Sequence, residues 1–339
     1  MSGVGFVPWL KRGIPQTRPW LCTGEIAGSE ETNARRTIQN TDEALAVKSA
    51  AVPEAPKLEE VLDKITDMPA LPTVVARLTR LIADPRTTAS NINSVLSSDP
   101  GLVTKILKLV NSSYYGFSRR ITTITNAVVI LGFNQVRNLA LSAFIFDKFA
   151  GSGDDSGFDL NGFWRHSIGS AFLCAQISRK LDAKLEEDAF ICGLLHDLGK
   201  FIMAQHVPEH VARVMQVVRR EDILFHEAEK KVLGYDHALL GSVVMERWNL
   251  PQTLVDVVRN HHQPLAAPPS SRKLGCVTQL AEITARALLM GNGGDARIPR
   301  LQPEVWAMTG LDWGKLEDII RRGAEEYSKS DAFFSISGG

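Results

Sequence analysis

The sequence lacks the features that mark several broad classes of protein. Lysine plus arginine and aspartate plus glutamate both number 38, so there is no basic excess of the kind that non-specific nucleic-acid binding uses. No apolar run approaches the ~18 residues that a transmembrane helix needs, and the start, MSGVGFVPWLKRGIPQ, has no signal-peptide core. We therefore expect a cytoplasmic protein without a transmembrane segment, and nucleic acid is not an expected partner.

Cysteine is also scarce, and its spacing excludes two kinds of site. The four residues, Cys22, Cys174, Cys192 and Cys276, form no CxxC pair. Scattered single cysteines argue against a disulfide framework and fit a reducing compartment. We expect Cys174, Cys192 and Cys276 to be small buried residues rather than catalytic thiols.

What is present fits a globular protein with an atypical beginning. The 339 residues are 44% hydrophobic and 22% charged, which is ordinary for a folded chain of about two units. Residues 1–57 show no sustained apolar period, so we predict a disordered or weakly ordered tail. Within it, 41–51 could form a short amphipathic helix.

From residue 58 onward, apolar residues recur at helical spacing and strand-like alternation is nearly absent, so we predict an all-α fold. Asp99 and Pro100 form a typical helix start. Gly132 is expected to end the helix at 123–131, and Asn134 to cap the next one. Further helices are predicted at 160–182, 186–198, 208–222, 225–233, 236–248, 251–262, 273–289 and 313–328.

Five histidines lie on helix faces or at helix ends. A lone histidine on an apolar face is usually a core residue with one hydrogen bond. Several imidazoles together with a carboxylate are instead the ligands that hold Fe, Mn or Zn. The candidate ligands are His166, His196, Asp197, His237, His261 and His262. By contrast, His206, His210 and His226 lie in short polar stretches, and we expect them on the surface.

Seven segments together resemble the HDOD family, the HD-related output domains of bacterial signalling proteins. The resemblance covers about two-thirds of the chain. It predicts an HDOD domain at 58–290, with an N-terminal helical lobe (58–150) packed on an HD-like lobe (151–290), and an extension at 291–339 with one helix. The segments are MPALPTVVARL (68–78), SSDPGLVTKILKLVNSSYYG (97–116), ITNAVVILGFNQVRNLAL (124–141), FWRHSIGSAFLCAQIS (163–178), GLLHDLGKFIM (193–203), EAEKKVLGYDHALLGSVVMERWNLP (227–251) and VVRNHHQP (257–264).

The resemblance also suggests roles for individual residues, because HDOD domains are related to the HD phosphohydrolases. His166 is similar to the first HD ligand, and His196-Asp197 to the HD doublet. The remaining candidate histidines resemble the further ligands of two-metal HD-GYP enzymes. Lys200 resembles the lysine that faces substrate phosphate, and Glu282 lies nearest to the last HD ligand, which is usually an aspartate.

The sequence also departs from the HD-GYP pattern. After His262 it reads QPLAAPP, and the Glu, Asp-Gly and Gly-Tyr-Pro elements are missing. This weighs against a cyclic-di-GMP hydrolase. The glycine-rich GNGGD at 291–295 lacks the strand-then-helix setting of a dinucleotide-binding loop, so we expect no dinucleotide cofactor there.

Two hypotheses therefore compete. The first, which we favour, is a stand-alone signalling module that binds a protein partner or a small nucleotide ligand without catalysis. The second is a metal-dependent phosphohydrolase acting on a nucleotide or cyclic dinucleotide, with Asp197 as bridging ligand or general base and Lys200 neutralising phosphate charge. A structural or sensory metal lies between them. The sequence predicts no oligomeric state.

Overall fold

The computed structural model describes most of the chain after its first fifty residues. The predicted tail at 1–57 and the helix at 41–51 lie outside the described residues, except for positions 55–57. The described ranges are 55–64, 73–82, 84–112, 115–149, 157–295 and 297–329.

The described residues form helices and no strands, which confirms the all-α prediction. The N-terminal part contains α1 (Leu58–Lys64), α2 (Thr73–Ile82), α3 (Ala89–Leu96), α4 (Pro100–Val110), α5 (Ile124–Leu131) and α6 (Phe133–Phe149). It is followed by α7 (Leu160–Leu181), α8 (Glu186–Leu195), α9 (Leu198–His206), α10 (Pro208–Glu221), α11 (Phe225–Leu233), α12 (His237–Arg247), α13 (Gln252–Asn260), α14 (Pro269–Ala287), α15 (Pro303–Thr309) and α16 (Trp313–Tyr327).

Local capping explains where the N-terminal helices begin and end. Asp99 accepts a 2.9 Å hydrogen bond from the N–H of Leu102, and Pro100 lies in the first turn, as predicted. Gly132, with φ of 85°, ends α5. The prediction that Asn134 caps α6 is wrong. The helix already begins at Phe133, because Gly132 alone makes the turn between the two helices.

The helix predicted at 186–198 is interrupted where the histidine–aspartate doublet lies. Asp197 has a ψ of 8° and leaves the helical path, and the N–H of Lys200 closes the turn on its carbonyl. A separate helix, α9, then follows, which the sequence did not predict. Its residues 198–204 are all buried, so no amphipathic stripe marked it. The other predicted helices match those observed to within four residues.

Helix α7 lies at the centre of the C-terminal part. It packs against α8, α14 and α16, and residues 166–178 are buried without exception. A helix buried on every side must satisfy or pair any polar group that it carries. His166 on this helix is therefore fixed in a low-dielectric interior.

The N-terminal helices pack on the C-terminal ones within a single unit, Lys57–Gly339. Asn138 on α6 donates a 2.8 Å hydrogen bond to the carbonyl of Glu187, and Arg137 pairs with Asp188 at 3.3 Å. Arg247 donates to the carbonyl of Leu62 at 2.7 Å. These polar contacts join the two parts of the predicted HDOD fold.

Two expectations at the periphery need correction. The extension after residue 290 contains two described helices, α15 and α16, where one was predicted. The expectation that three histidines lie on the surface is also wrong, because His210 is buried and His206 and His226 are half-buried. The described cysteines are free and buried, as expected. Among the described helices, none has the length and apolar character required to cross a membrane.

Candidate metal centre

The candidate ligands come from four places in the helical fold. His166 lies in the middle of α7, and His196 and Asp197 occupy the break between α8 and α9. His237 is the first residue of α12, which Asp236 caps by accepting a 2.9 Å hydrogen bond from Leu239. The remaining two ligands, His261 and His262, follow the end of α13.

Two glycines allow these elements to approach closely. A Cβ on Gly199, in α9, would lie 2.1 Å from the carbonyl oxygen of His237. A Cβ on Gly241, in α12, would lie 3.1 Å from the backbone nitrogen of Gly199. Because neither residue carries a side chain, α9 and α12 can pack backbone to backbone, and this brings Asp197 to His237.

His166, His196 and Asp197 form what we call the first donor group. One potential ligand atom from each lies within 4.8 Å of the others, and all three residues are buried. His196 Nδ1 lies 2.9 Å from the carbonyl of Gly193, which leaves Nε2 to face the group. Among the described residues, none makes a hydrogen bond to Nε2 of His166 or of His196. Burial, and then the neighbouring His196, lower the pKa of His166 to about 3, so this ring is neutral, as a metal ligand must be.

His237, His261 and His262 form the second donor group. The Nε2 atom of His237 lies 3.3 Å from that of His261 and 3.0 Å from that of His262. His261 is oriented through Nδ1, which lies 2.7 Å from the carbonyl of Val258. Burial is the main cause that lowers the pKa of His261 to about 3 and that of His262 well below its usual value. Three imidazole nitrogens thus converge on one point.

Glu229 orients the second donor group from behind, a role that the sequence analysis missed. Its Oε2 lies 2.6 Å from Nδ1 of His237 and also accepts from the backbone N–H of His237. Burial opposes charge on His237, but Glu229, together with Asp197, outweighs it and raises the pKa of His237 to about 9. A carboxylate behind a ligating imidazole fixes its tautomer and raises its basicity, and His237 would have to lose a proton before it could bind a metal. No recognised spacing motif marked Glu229.

Asp197, a member of the first donor group, also contacts the second donor group. Its Oδ2 is 3.3 Å from Nε2 of His196, and its Oδ1 is 2.9 Å from Nε2 of His237 and 3.7 Å from Nε2 of His261. Burial alone would raise the pKa of this carboxyl, but the neighbouring His196 and Lys200 hold it well below its usual range. Asp197 is therefore an anion positioned to face both groups.

The structure places the two remaining candidates in a charge network. Lys200 is buried, and its ammonium lies 2.9 Å from Asp197 Oδ2, 2.8 Å from the carbonyl of Gly293 and 3.2 Å from Asp295 Oδ2. Burial would lower the pKa of Lys200, but Asp197 and Asp295 raise it. Glu282 is also buried. It pairs with Arg286 through Oε1, and Oε2 accepts no hydrogen bond from the described residues. Glu282 belongs to neither donor group.

The GNGGD segment, whose sequence setting does not fit a dinucleotide-binding loop, lies against the first donor group. A Cβ on Gly293 would lie 3.2 Å from the ring of His166. Asp295 accepts a 2.7 Å hydrogen bond from the N–H of Phe225 and pairs with Arg286 at 2.7 Å. Burial opposes ionisation of Asp295, but Arg286 and then Lys200 outweigh it and lower the pKa to about 2. The glycines and the terminal acid were visible in the sequence, but their partners were not.

Comparison with known proteins gives a consistent family match. The family model for the HDOD domain matches residues 68–264, more than half of the chain. A Treponema pallidum (strain Nichols) protein without an assigned function is 30% identical over 241 residues, which are 71% of this chain and 46% of that protein. The chain thus spans about half the length of this relative.

Solved structures support the same fold. An HDOD domain protein of unknown function from Geobacter sulfurreducens has a TM-score of 0.71 at 22% identity, over 82% of this chain and 98% of that one. A Marinobacter aquaeolei VT8 protein, provisionally named a signal transduction protein, has a TM-score of 0.64 at 21% identity, over 93% of this chain and 67% of that one. At these identities the likeness shows the fold alone.

Proposed function

This chain belongs to the HDOD domain family, and we propose that it is a bacterial signal-transduction module that binds a protein partner or a small nucleotide ligand without catalysis. The name of the Marinobacter protein is consistent with such a role. We also propose a cytoplasmic location, which its buried free cysteines favour.

The engagement of Lys200 is the observation that carries this proposal. An ammonium group has three donors, and Asp197, Asp295 and the carbonyl of Gly293 supply three acceptors. In a hydrolase, the corresponding lysine would be needed for substrate phosphate. Here it is buried and neutralised within the chain, which favours binding over catalysis.

We further propose that each of the two donor groups holds a divalent metal ion, which is Fe, Mn or Zn. In the first donor group, buried imidazole nitrogens without hydrogen bonds lie beside an ionised carboxylate, and in the second donor group three imidazole nitrogens converge. Both arrangements fit such an ion. The first donor group would hold one ion and the second donor group another, with Asp197 between them. In a binding module, this centre would tie α7, α9, α12 and the end of α13 together, and thereby stabilise the fold.

The position of Asp197 favours one second candidate, a metal-dependent phosphohydrolase acting on a nucleotide or cyclic dinucleotide. A bound metal would supply an activated water for attack on phosphorus. Asp197 would act as bridging ligand or general base, because it faces both donor groups. Lys200 would have to exchange Asp295 for substrate phosphate.

Metal analysis tests the proposed metal centre and the hydrolase that depends on it. Tag-free protein purified without chelator is analysed by plasma mass spectrometry beside the double variant His196→Ala/Asp197→Ala. His206→Ala is the control, because this half-buried histidine belongs to neither donor group. We expect stoichiometric metal in the wild type and the control and its loss in the double variant. Absence of metal after anaerobic reconstitution would refute the metal centre and the hydrolase together.

Activity assays then separate the two functions. The metal-loaded protein is incubated with bis-p-nitrophenyl phosphate and with cyclic di-GMP. We expect no turnover that depends on His196 and Asp197. Turnover that the double variant loses while it keeps its helical circular dichroism would refute the non-catalytic module and establish the hydrolase.

A further inference from the structure

A cavity of about 350 Å³ lies where the N-terminal and C-terminal helices meet. We call it the lobe-junction cavity. It is lined from one side by Tyr115 and the end of α5 (Ile130 and Leu131), and from the other by α7, the start of α8 and α16. None of the candidate metal ligands lines it. Its volume lies in the range of small-ligand sites.

Negative charge exceeds positive charge in this cavity. Its lining contains three carboxylates, Glu186, Glu187 and Glu326, and a single guanidinium, Arg179. Arg179 is paired with Glu186, with Nε 3.0 Å from Oε2. Its distance to Glu326 is 3.9 Å, at the outer limit of an ion pair. The lining residues therefore carry more negative than positive charge, and Glu187 is compensated in part by a hydrogen bond from Asn134 and by the charge of Arg137, which lies outside the lining.

Glu326 has an oxygen that the described part of the protein leaves unsatisfied. Its Oε1 accepts a 2.6 Å hydrogen bond from Gln176, but its Oε2 is shielded from solvent and accepts none from the described residues. A carboxylate oxygen withdrawn from water without a donor costs free energy. Burial, the largest cause, raises the pKa of both Glu326 and Glu187. A cation bound in the cavity would favour the charged form of both carboxylates.

The opposite wall is partly open and combines the apolar Ile130 and Leu131 with Tyr115 and Gln135, of which Gln135 donates a 3.2 Å hydrogen bond to the Tyr115 hydroxyl. Ile130 is 53% exposed, and it lies beside Leu131 and Tyr115 in the lining. Such a wall can cover an aliphatic stem, as apolar surfaces commonly do for long basic side chains. A ligand with a cationic head and an apolar stem therefore matches both walls.

We propose that the lobe-junction cavity binds a guanidinium or ammonium group carried on an aliphatic stem, with the cation at Glu326 and Glu187 and the stem against Ile130 and Leu131. This inference rests on the proposed function, since it names the ligand class of the binding module. The cation has two sources, a free small molecule or a basic side chain of a partner protein. Either one would contact helices from both parts of the fold and so favour their observed arrangement.

Calorimetric titration of the full-length protein tests the proposal. Agmatine is the probe for a free cation, and acetyl-Gly-Arg-Gly-amide is the probe for a partner side chain. We expect saturable binding of at least one probe with a Kd below about 1 mM. Glu326→Gln and Glu187→Gln should each weaken binding about tenfold or more, because a charge-assisted hydrogen bond is lost. Glu317→Gln, an exposed acid on the same helix as Glu326, is the matched control and should leave the Kd unchanged.

The outcomes distinguish a free cation from a partner side chain, and a failure of this inference from a failure of the proposed function. Preference for agmatine supports a free cation, and preference for the peptide supports a partner side chain. Binding of neither probe, or equal affinity in all three variants, would overturn the proposal. Circular dichroism shows whether each variant is folded. If Glu326→Gln does not fold, Glu187→Gln still tests the proposal. Metal content is measured on the same samples, so a protein that holds metal but binds no probe refutes this inference alone.

Discussion

Lys200 Nζ lies 2.9 Å from Oδ2 of Asp197, three residues earlier in the chain, and both side chains are fully buried. One turn of α9 thus places the only carboxylate of the two donor groups beside a permanent positive charge. This pair connects the candidate metal centre to Asp295 in the GNGGD segment. Loss of Lys200 would remove a positive partner from two buried carboxylates, Asp197 and Asp295.

Lys200→Met should destabilise the protein strongly. Removal of one partner of a buried ion pair typically costs about 3–5 kcal/mol, and Lys200 serves two carboxylates. Urea unfolding followed by circular dichroism measures the loss. The control is Lys231→Met, since Lys231 is exposed and pairs with Glu221 on the surface, where an ion pair contributes little to stability. Equal losses in the two variants would contradict the network.

Glu229→Gln should weaken metal binding at the second donor group more than at the first. Glutamine keeps the size of the side chain but removes the charge behind His237. Loss of such an orienting carboxylate typically lowers metal affinity about 10–100-fold. A competition titration with a chromophoric chelator should show one weakened and one unchanged site. Glu227→Gln on the exposed face of α11 is the control, and a uniform loss at both sites would count against the assignment.

Gly291→Ala should be more damaging than Gly310→Ala, although both glycines have positive φ, at 73° and 62°. A Cβ at residue 291 would lie 2.2 Å from the backbone nitrogen of His166, whereas one at residue 310 meets nothing within 4 Å. Gly310→Ala should therefore cost only the conformational term of about 1–2 kcal/mol. We expect at least twice that loss for Gly291→Ala in urea unfolding. Similar losses would show that the GNGGD segment is not packed against His166.

Asp295 should contribute stability that disappears in acid. Its pKa of about 2 in the folded protein lies below the ~3.9 of an unfolded aspartate. A carboxyl group whose pKa is lower in the folded than in the unfolded protein stabilises the fold at pH values above the unfolded pKa. This stabilisation is lost as the pH falls through the folded pKa, here between about pH 5 and pH 2. The stability difference between wild type and Asp295→Asn should shrink by about 2 kcal/mol over that interval. A difference that stays constant with pH would contradict the prediction.

Several parts of the fold could be predicted because they depend on neighbours in sequence. The cap at Asp99 satisfies the backbone N–H of Leu102, three residues away. The amphipathic helices carry a one-sided apolar stripe that the sequence shows directly. Where that stripe is missing, as in the fully buried α9, the prediction failed. The start of α6 was missed for a different reason, since Gly132 turns the chain without needing a cap at Asn134.

The sequence by itself determined the helical class, the family and the identity of the candidate donors, because local spacing and residue chemistry carry that information. Only the tertiary structure decided which donors meet. Asp197 faces both donor groups because Gly199 lets α9 approach α12, and Glu282 pairs with Arg286 instead of joining either group. Glu229, Arg286 and Asp295 reach the centre from distant positions. Their roles depend on burial and on charges brought together by packing, which a linear sequence does not display.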